Sequence, residues 1–348
     1  MTKVVKKEID KIVSSGLSWE KLKSKTVLVT GATGFIGSYI IRALLQKNEE
    51  SDIGVKVLAL VRNVENAKKL FGENENLDYL VQDVCQALPT EKKADFIIHC
   101  ASNAAPKEYS LYPVETMKTN FVGTLNLLDY AKAVDAESFL YVSTIEVYGT
   151  TKGLSKIKED DYGTIDAMKV RSCYPLSKKS CETLVVSYAD EYGLPVKIGR
   201  LSYIFGPGMK QGDSKIVAVF PKCIADGENI VMKSKGEQLR SYTYVSDAIT
   251  ALLTVLLDGE TGEGYNIASK LCRTTIAGIA HTLVGLYPEK ELKVIFDLPS
   301  EQEAKGFSLI ENAVLDSEKL ENLGWEPKTA LEEGLRNVVE EQIELKGR

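Results

Sequence analysis

The sequence predicts an α/β protein built on a parallel sheet with helices on both faces. From residue 26 onward, short apolar runs alternate with longer segments of helical period. The runs are apolar throughout, not at every second residue, as strands buried on both faces are. A glycine triplet, Gly31-Ala-Thr-Gly34-Phe-Ile-Gly37, stands where the first of these strands meets the first of these helices.

The elements follow in order. Residues 1–25 are polar and helix-patterned, and read as a surface helix ending near Trp19. TVLVT (26–30) is a strand and FIGSYIIRALLQ a helix. VKVLALV (55–61) is a strand and NVENAKKLF a helix. LDYLVQD (77–83), DFIIHCA (95–101) and SFLYVST (138–144) are further strands. The long helix 113–134 precedes the last of them. YPLSKKSCETLVVSYADEYG (174–193) is a helix, followed by the strand PVKIGRLSY. Past about residue 205 turns accumulate, in GPGMKQGD, KSKGEQLRSY and DGETGEGY, and suggest a smaller discontinuous lobe. The chain thus divides into an N-terminal extension (1–25), a dinucleotide-binding domain (26–200) and a mainly substrate-binding lobe (201–348). Some segments of that lobe return to the sheet.

Composition excludes several classes. The 348 residues are 44% hydrophobic and 26% charged, and the net charge is −6, which argues against nonspecific nucleic-acid binding. No apolar run approaches membrane-span length, and acidic residues interrupt MTKVVKKEIDKIVSS, unlike a signal peptide. Six cysteines (85, 100, 173, 181, 223, 272) form no CxxC, which points to a reduced cytoplasmic protein without a metal site. The only histidines are His99 and His281, so proton transfer falls to Tyr, Lys, Glu, Asp, Ser or Thr.

The glycine triplet has a physical reading. Gly31 permits a tight turn, Gly34 lets backbone approach a pyrophosphate, and Gly37 lets helix and strand pack closely. The helix N-terminus faces the phosphates. Thr33, Phe35 and Ile36 complete this cofactor loop. The fold class is therefore a Rossmann-type doubly wound parallel sheet with a smaller C-terminal substrate lobe. An Asp ending the second strand would bind a ribose 2′-hydroxyl and favour NAD; the sequence has Val61-Arg62-Asn63 instead. Arg62 either meets a 2′-phosphate or is a solvated loop residue. The reading leans to NADP and leaves NAD open.

Tyr174 and Lys178 form YxxxK, which puts both on one helical face. A nearby ammonium favours phenolate, so Tyr174 can act as a base near neutral pH. Thr144 can hydrogen-bond the substrate oxygen that Tyr174 deprotonates while hydride passes to nicotinamide.

The GxxGxxG spacing and YxxxK together resemble the extended short-chain dehydrogenases acting on nucleotide sugars. RLSYIFGPG (200–208), RSYTYVSDA (240–248), GEGYNIAS and ENLGWEP (321–327) carry the resemblance over about residues 25 to 340. It implies that Asp83 and Val84 meet adenine, and that Ala101, Ser102, Asn120 and Ser143 lie along the cofactor. HCASNAAPKEYSLYPVETMKTN, STIEVYG and RSCYPLSKK look most like UDP-glucuronate decarboxylases, with sugar-nucleotide 4,6-dehydratases next.

The resemblance makes Glu146 an assistant to proton transfer at sugar C5, after oxidation of C4 to a ketone. Dehydratases place an acid between this Thr and Glu to protonate a leaving hydroxyl. Ile145 stands there and cannot donate a proton, which argues for decarboxylation or 4-epimerisation over dehydration. A net NADPH-dependent reductase remains the further alternative. By position, Arg240 meets the nucleotide diphosphate and Lys215 the nucleotide. Tyr109 and Arg171 line the sugar pocket or the catalytic loop. Tyr203 takes the place of an Asn in the family's FNTFGP motif, and Asn312 that of an arginine, so the substrate pocket is expected to be remodelled. The resemblance also implies a homodimer through helices 113–134 and 174–193, and a tightly held cofactor recycled within each turnover.

Overall fold

A computed structural model describes residues 1–51, 53–151, 153–298 and 312–347. The apolar runs become β1 (Thr26–Thr30), β2 (Lys56–Val61), β3 (Leu77–Val81), β4 (Phe96–His99), β5 (Ser138–Thr144) and β6 (Val196–Leu201). The helices between and before them are α1 (Lys3–Val13), α2 (Phe35–Ser51), α3 (Val64–Phe71), α4 (Pro106–Leu111), α5 (Pro113–Ala133) and α6 (Cys173–Tyr192). The rest of the chain holds β7 (Tyr203–Phe205), α7 (Ile216–Asp226), β8 (Ile230–Met232), β9 (Leu239–Tyr244), α8 (Val245–Asp258) and β10 (Gly264–Ile267). It continues through β11 (Arg273–Thr275), α9 (Ile276–Leu286), β12 (Val294–Phe296), β13 (Asn312–Ala313), α10 (Glu318–Glu321) and α11 (Leu331–Lys346).

The central sheet runs β10-β6-β5-β4-β1-β2-β3, and every pairing in it is parallel. Period-2 alternation sends Leu28, Ile97, Phe139, Tyr141 and Ile198 to one face, against Leu127, Leu128, Cys181 and Val185 of α5 and α6. Val27, Val29, Ile98, Leu140 and Val142 point to the other, toward α1, α2 and α8. Strand order reverses between β4 and β2 around β1. Open sheets of this kind bind ligands outside the carboxyl ends of the strands at such a reversal.

Two expectations are corrected. The N-terminal helix ends at Val13, not near Trp19, and it is docked instead of lying on the surface. Val5, Ile9, Ile12 and Val13 are buried, each worth about 1.5–3 kcal/mol of apolar transfer. Glu8 on the same face accepts from Ser246 Oγ at 2.8 Å and Asn337 Nδ2 at 3.2 Å, so its burial is compensated. The run 195–203 is also not one strand. Ser202 donates its N–H to Ile267 at 3.0 Å and its hydroxyl meets Thr243 Oγ1 at 2.7 Å. Beyond it the chain leaves the sheet, and Tyr203–Phe205 pairs in parallel with β9. That detour brings Arg240 and Tyr242 to the site.

Candidate active site

A cleft of about 450 Å³ opens at the carboxyl ends of β1, β4, β5 and β6. The glycine loop, with Phe35 and Ile36, forms one wall. Cys100, Ser102, Ala104 and Pro106 form a second. Val142 to Glu146, Tyr174 and Lys178 make the centre. Leu201 to Ile204, Ser214 to Val217, Arg240 and Tyr242 close the far side.

The glycine loop fits a dinucleotide. Gly31 sits at φ +62°, and a Cβ on it would lie 2.9 Å from the Cys100 and Ala101 backbone. A Cβ on Gly37 would lie 2.4 Å from the Gly31 carbonyl oxygen. Close backbone approach at the N-terminus of α2 is the cradle a pyrophosphate needs. Thr33 is exposed and outside the cleft lining. Arg62, at the end of β2, is also exposed and makes no hydrogen bond or ion pair among the described residues. Asp83 accepts from Cys85 N–H at 2.8 Å, capping its own turn, and Val84 packs beneath Gly123.

A buried relay sets the wall at Ala101. Thr124 Oγ1 donates to the Asn120 carbonyl at 2.6 Å, so it accepts from His99 Nε2 at 3.1 Å. His99 Nδ1 then accepts from the Thr30 hydroxyl at 2.8 Å, and Thr30 accepts Ala101 N–H at 3.1 Å. Burial, helped by the Lys178 charge, holds the imidazole well below its ordinary pKa and hence neutral. Ser102 donates to Asn120 Oδ1 at 2.7 Å, and Asn120 donates to Ser177 at 2.8 Å. This chain joins β1 and β4 to α5 and α6.

The structure brings Thr144, Glu146, Tyr174 and Lys178 to one wall. Lys178 is buried, donates to the Val142 carbonyl at 2.8 Å and lies 4.6 Å from the Tyr141 ring centre. Burial pushes its ammonium down to about 8. Tyr174 departs from expectation. Its phenol is held above the ordinary value, first by burial and then by the Glu146 charge. A hydrogen bond with the Thr144 hydroxyl pulls the other way and does not prevail. Desolvation of the phenolate outweighs the local polar help.

Glu146 is not alone. Arg171 donates to it in bidentate fashion at 3.0 and 3.2 Å. The Arg171 guanidinium lies 4.5 Å over the Tyr109 ring, and Tyr109 stacks on Tyr174 at 5.2 Å and 17°. Tyr109 is buried, and its hydroxyl has no hydrogen-bond partner among the described residues. Arg240 lies 4.7 Å over the Tyr203 ring, and its Nε has no hydrogen-bond partner among the described residues. Lys215 pairs with Asp213 at 3.6 Å at the cleft edge. Asn312 falls in β13 beside β9; its side chain lies outside the described residues. Ile145 lines the cleft and packs with Val147, Tyr148, Ile157 and Leu315. Ser143, expected along the cofactor, turns its hydroxyl away to Glu182 at 2.5 Å. Glu182 itself escaped the sequence reading, although it stands four residues after Lys178 and eight after Tyr174 on one helical face. Among the described residues no cluster of His, Cys, Asp and Glu could hold a metal ion, and no helix is long and apolar enough to cross a membrane.

Known proteins agree with this architecture. A model of the NAD dependent epimerase/dehydratase family matches residues 27–268. UDP-glucuronic acid decarboxylase 6 of Arabidopsis thaliana is 34% identical over 321 residues, covering 92% of this chain and 89% of that protein. UDP-glucuronic acid decarboxylase 1 of Xenopus tropicalis is 30% identical over 318 residues, covering 90% and 71%. The UDP-glucose 4-epimerase of Thermotoga maritima, solved with UDP-glucose, has a TM-score of 0.75 at 26% identity, covering 91% of this chain and 98% of that one. The dTDP-glucose 4,6-dehydratase of Streptomyces venezuelae, solved with NAD, has a TM-score of 0.77 at 25% identity, covering 92% and 98%. A match over most of the chain, on the parallel sheet and glycine cradle described above, makes this protein an enzyme of the NAD dependent epimerase/dehydratase family.

Proposed function

We propose that this enzyme oxidises a nucleotide sugar at C4, removes carbon dioxide from C5 and reduces C4 again: a UDP-glucuronate decarboxylase reaction. One observation carries the choice of reaction. Glu146 stands in the cleft beside the Thr144–Tyr174 pair, with apolar Ile145 between it and Thr144. Elimination of hydroxide needs a proton donor there, whereas loss of carbon dioxide from a β-keto acid does not.

Bound NAD supplies the hydride acceptor and a positive nicotinamide ring. Thr144 holds the sugar O4 and Tyr174 takes its proton as C4 becomes a ketone. The ketone makes the C5 carboxylate a β-keto acid, and the electrons of the breaking C–C bond pass to the C4 oxygen. Glu146, oriented by Arg171, relays a proton from solvent to C5 as those electrons return and the C4 carbonyl re-forms. Tyr174, now protonated, returns its proton to O4. The raised Tyr174 phenol suits this second half. The glycine loop, Asp83, Val84, Ala101, Ser102 and Asn120 hold the cofactor, and Tyr109, Tyr203, Lys215 and Arg240 hold the nucleotide sugar. In this reading residues 26–200 are the cofactor domain and 201–348 mainly the substrate lobe. Arg62 is the solvated alternative, in keeping with NAD.

The test is incubation with UDP-glucuronate and other nucleotide sugars, read by mass spectrometry. Carbon dioxide and a UDP-pentose, formed without added cofactor, are expected. Ile145 leaves 4-epimerisation as the second reading, since that reaction also needs no acid to protonate a leaving hydroxyl, and a product of unchanged mass with no carbon dioxide establishes it instead. Stoichiometric consumption of added NADPH would sink both.

Two further outcomes follow from the site. Glu146→Gln slows protonation at C5, and turnover with it, about a hundredfold while C4 oxidation proceeds, so near-ultraviolet absorbance of reduced nicotinamide accumulates. Full-rate turnover removes Glu146 from the chemistry. The pH profile of kcat declines as pH rises through about 8, because Lys178 loses the ammonium charge that supports the phenolate. A flat profile to pH well above that value contradicts this role.

The enzyme also reads as a homodimer. Val114, Met117 and Phe121 of α5 and Val186 and Tyr192 of α6 are exposed apolar residues on the two paired helices. Sedimentation giving a monomer at micromolar concentration rejects it. The six free cysteines fit a reducing cytoplasm.

A further inference from the structure

Behind the proton-transfer wall lies a buried ion pair. Glu182 of α6 accepts the Ser143 hydroxyl at 2.5 Å. Arg200 of β6 donates to the same carboxylate through Nε at 3.0 Å and Nη2 at 2.8 Å. Its Nη1 donates to the Tyr148 hydroxyl at 2.8 Å and the Glu159 carbonyl at 2.7 Å. Both acidic and basic side chains are largely buried, at 9% and 16% exposure.

A buried pair of this kind is weak evidence for stability, because desolvation offsets the attraction, and an apolar pair could fill the space. Its connections are more specific. Ser143 precedes Thr144. Tyr148 ends the short helical turn that carries Glu146. Glu182 shares its helix with Tyr174 and Lys178. One carboxylate therefore ties together the segments that carry all four reacting side chains.

We propose that Glu182, clamped by Arg200, is a positioning residue for the proton-transfer group: it sets the end of β5 against α6 through Ser143, and its charge faces Lys178 one helical turn away. The proposal rests on the reading that Thr144, Tyr174 and Lys178 carry the proton transfer, and not on which sugar is the substrate.

Lys178 is faced by Cys181 and Glu182 on α6, Cys100 after β4, His99 of β4 and the Tyr141 ring of β5. His99 is neutral, and burial pushes the Cys100 thiol up to about 12. Glu182 is the carboxylate in this set, and it favours the ammonium. Removing its charge lets Lys178 deprotonate at lower pH, so the alkaline limb of kcat moves toward acid.

The test compares Glu182→Gln and the double variant Glu182→Gln/Arg200→Met with the unmodified holoenzyme on the nucleotide sugar it turns over. Glu182→Gln lowers kcat ten- to about a hundredfold, leaves KM nearly unchanged and shifts the alkaline limb to lower pH. It also lowers the unfolding temperature, because Arg200 is stranded. The double variant regains that temperature but keeps the low kcat and the shifted limb. Hydrogen exchange over residues 143–148, which needs no substrate, quickens in both. A double variant with the kcat, pH profile and exchange of the unmodified protein overturns the proposal and leaves the pair a structural one. Failure of the unmodified enzyme on every nucleotide sugar instead strikes the functional reading, while exchange still decides the positioning.

Discussion

Replacing Tyr174 by Phe is expected to lower kcat about a thousandfold, within the range a positioned general base or acid contributes. The substitution is selective. Phe keeps the ring that stacks 5.2 Å from Tyr109, and keeps its burial. It deletes only the oxygen bonded to Thr144, whose hydroxyl still accepts Glu146 N–H at 3.3 Å. The stability cost is that of one lost hydrogen bond, about 1 kcal/mol. NAD content and unfolding temperature should therefore stay near those of the unmodified protein while turnover collapses. Under the proposed mechanism the same oxygen accepts and returns the O4 proton, so both half-reactions should suffer and no reduced nicotinamide should build up. This distinguishes it from Glu146→Gln, in which reduced nicotinamide accumulates. A loss of less than about tenfold would show that another group carries the proton.

Gly37→Ala is expected to abolish retention of NAD. The added Cβ would stand 2.4 Å from the Gly31 oxygen, 3.0 Å from its carbonyl carbon and 3.1 Å from Ala32 Cα. All three are backbone atoms, and none can swing aside as a side-chain tip could. Gly31 has nowhere to retreat, because it is itself wedged against Cys100 and Ala101 at φ +62°. Either α2 or the loop must shift. Overpacking of this kind costs about 1–3 kcal/mol. Taken from the binding geometry, 2.8 kcal/mol is about a hundredfold in affinity. The measurement is NAD released on denaturing the purified variant, with the unfolding temperature taken alongside. Full NAD occupancy would mean the loop does not hold the pyrophosphate as proposed.

The two substitutions probe features of different legibility. The triplet Gly31, Gly34, Gly37 and the Tyr174–Lys178 spacing are local, so their consequences follow from strand, turn and helix geometry alone. The same holds for β5, whose apolar run 138–144 and strand bounds coincide. Periodicity of 2 or 3.6 is a property of neighbouring residues and can be read without the fold. The alternation of strands and helices therefore determined the parallel sheet and the crevice above β1, and the glycine triplet marked the loop at its edge.

What faces each side chain was decided only by the tertiary structure. Arg171 reaches Glu146 across 25 positions, Ser143 reaches Glu182 across 39, and Thr30 reaches His99 across 69. Those pairings arise from strand order and helix docking, and no local period encodes them. Desolvation is likewise collective: the environment that holds the Tyr174 phenol high is made by β5, α6 and Tyr109 together. The lead-in helix shows the same division. Its amphipathic pattern was visible, but a pattern specifies only that one face must be covered. Packing α1 against α2, α8 and α11 chose the cover, and turned an expected surface helix into part of the core.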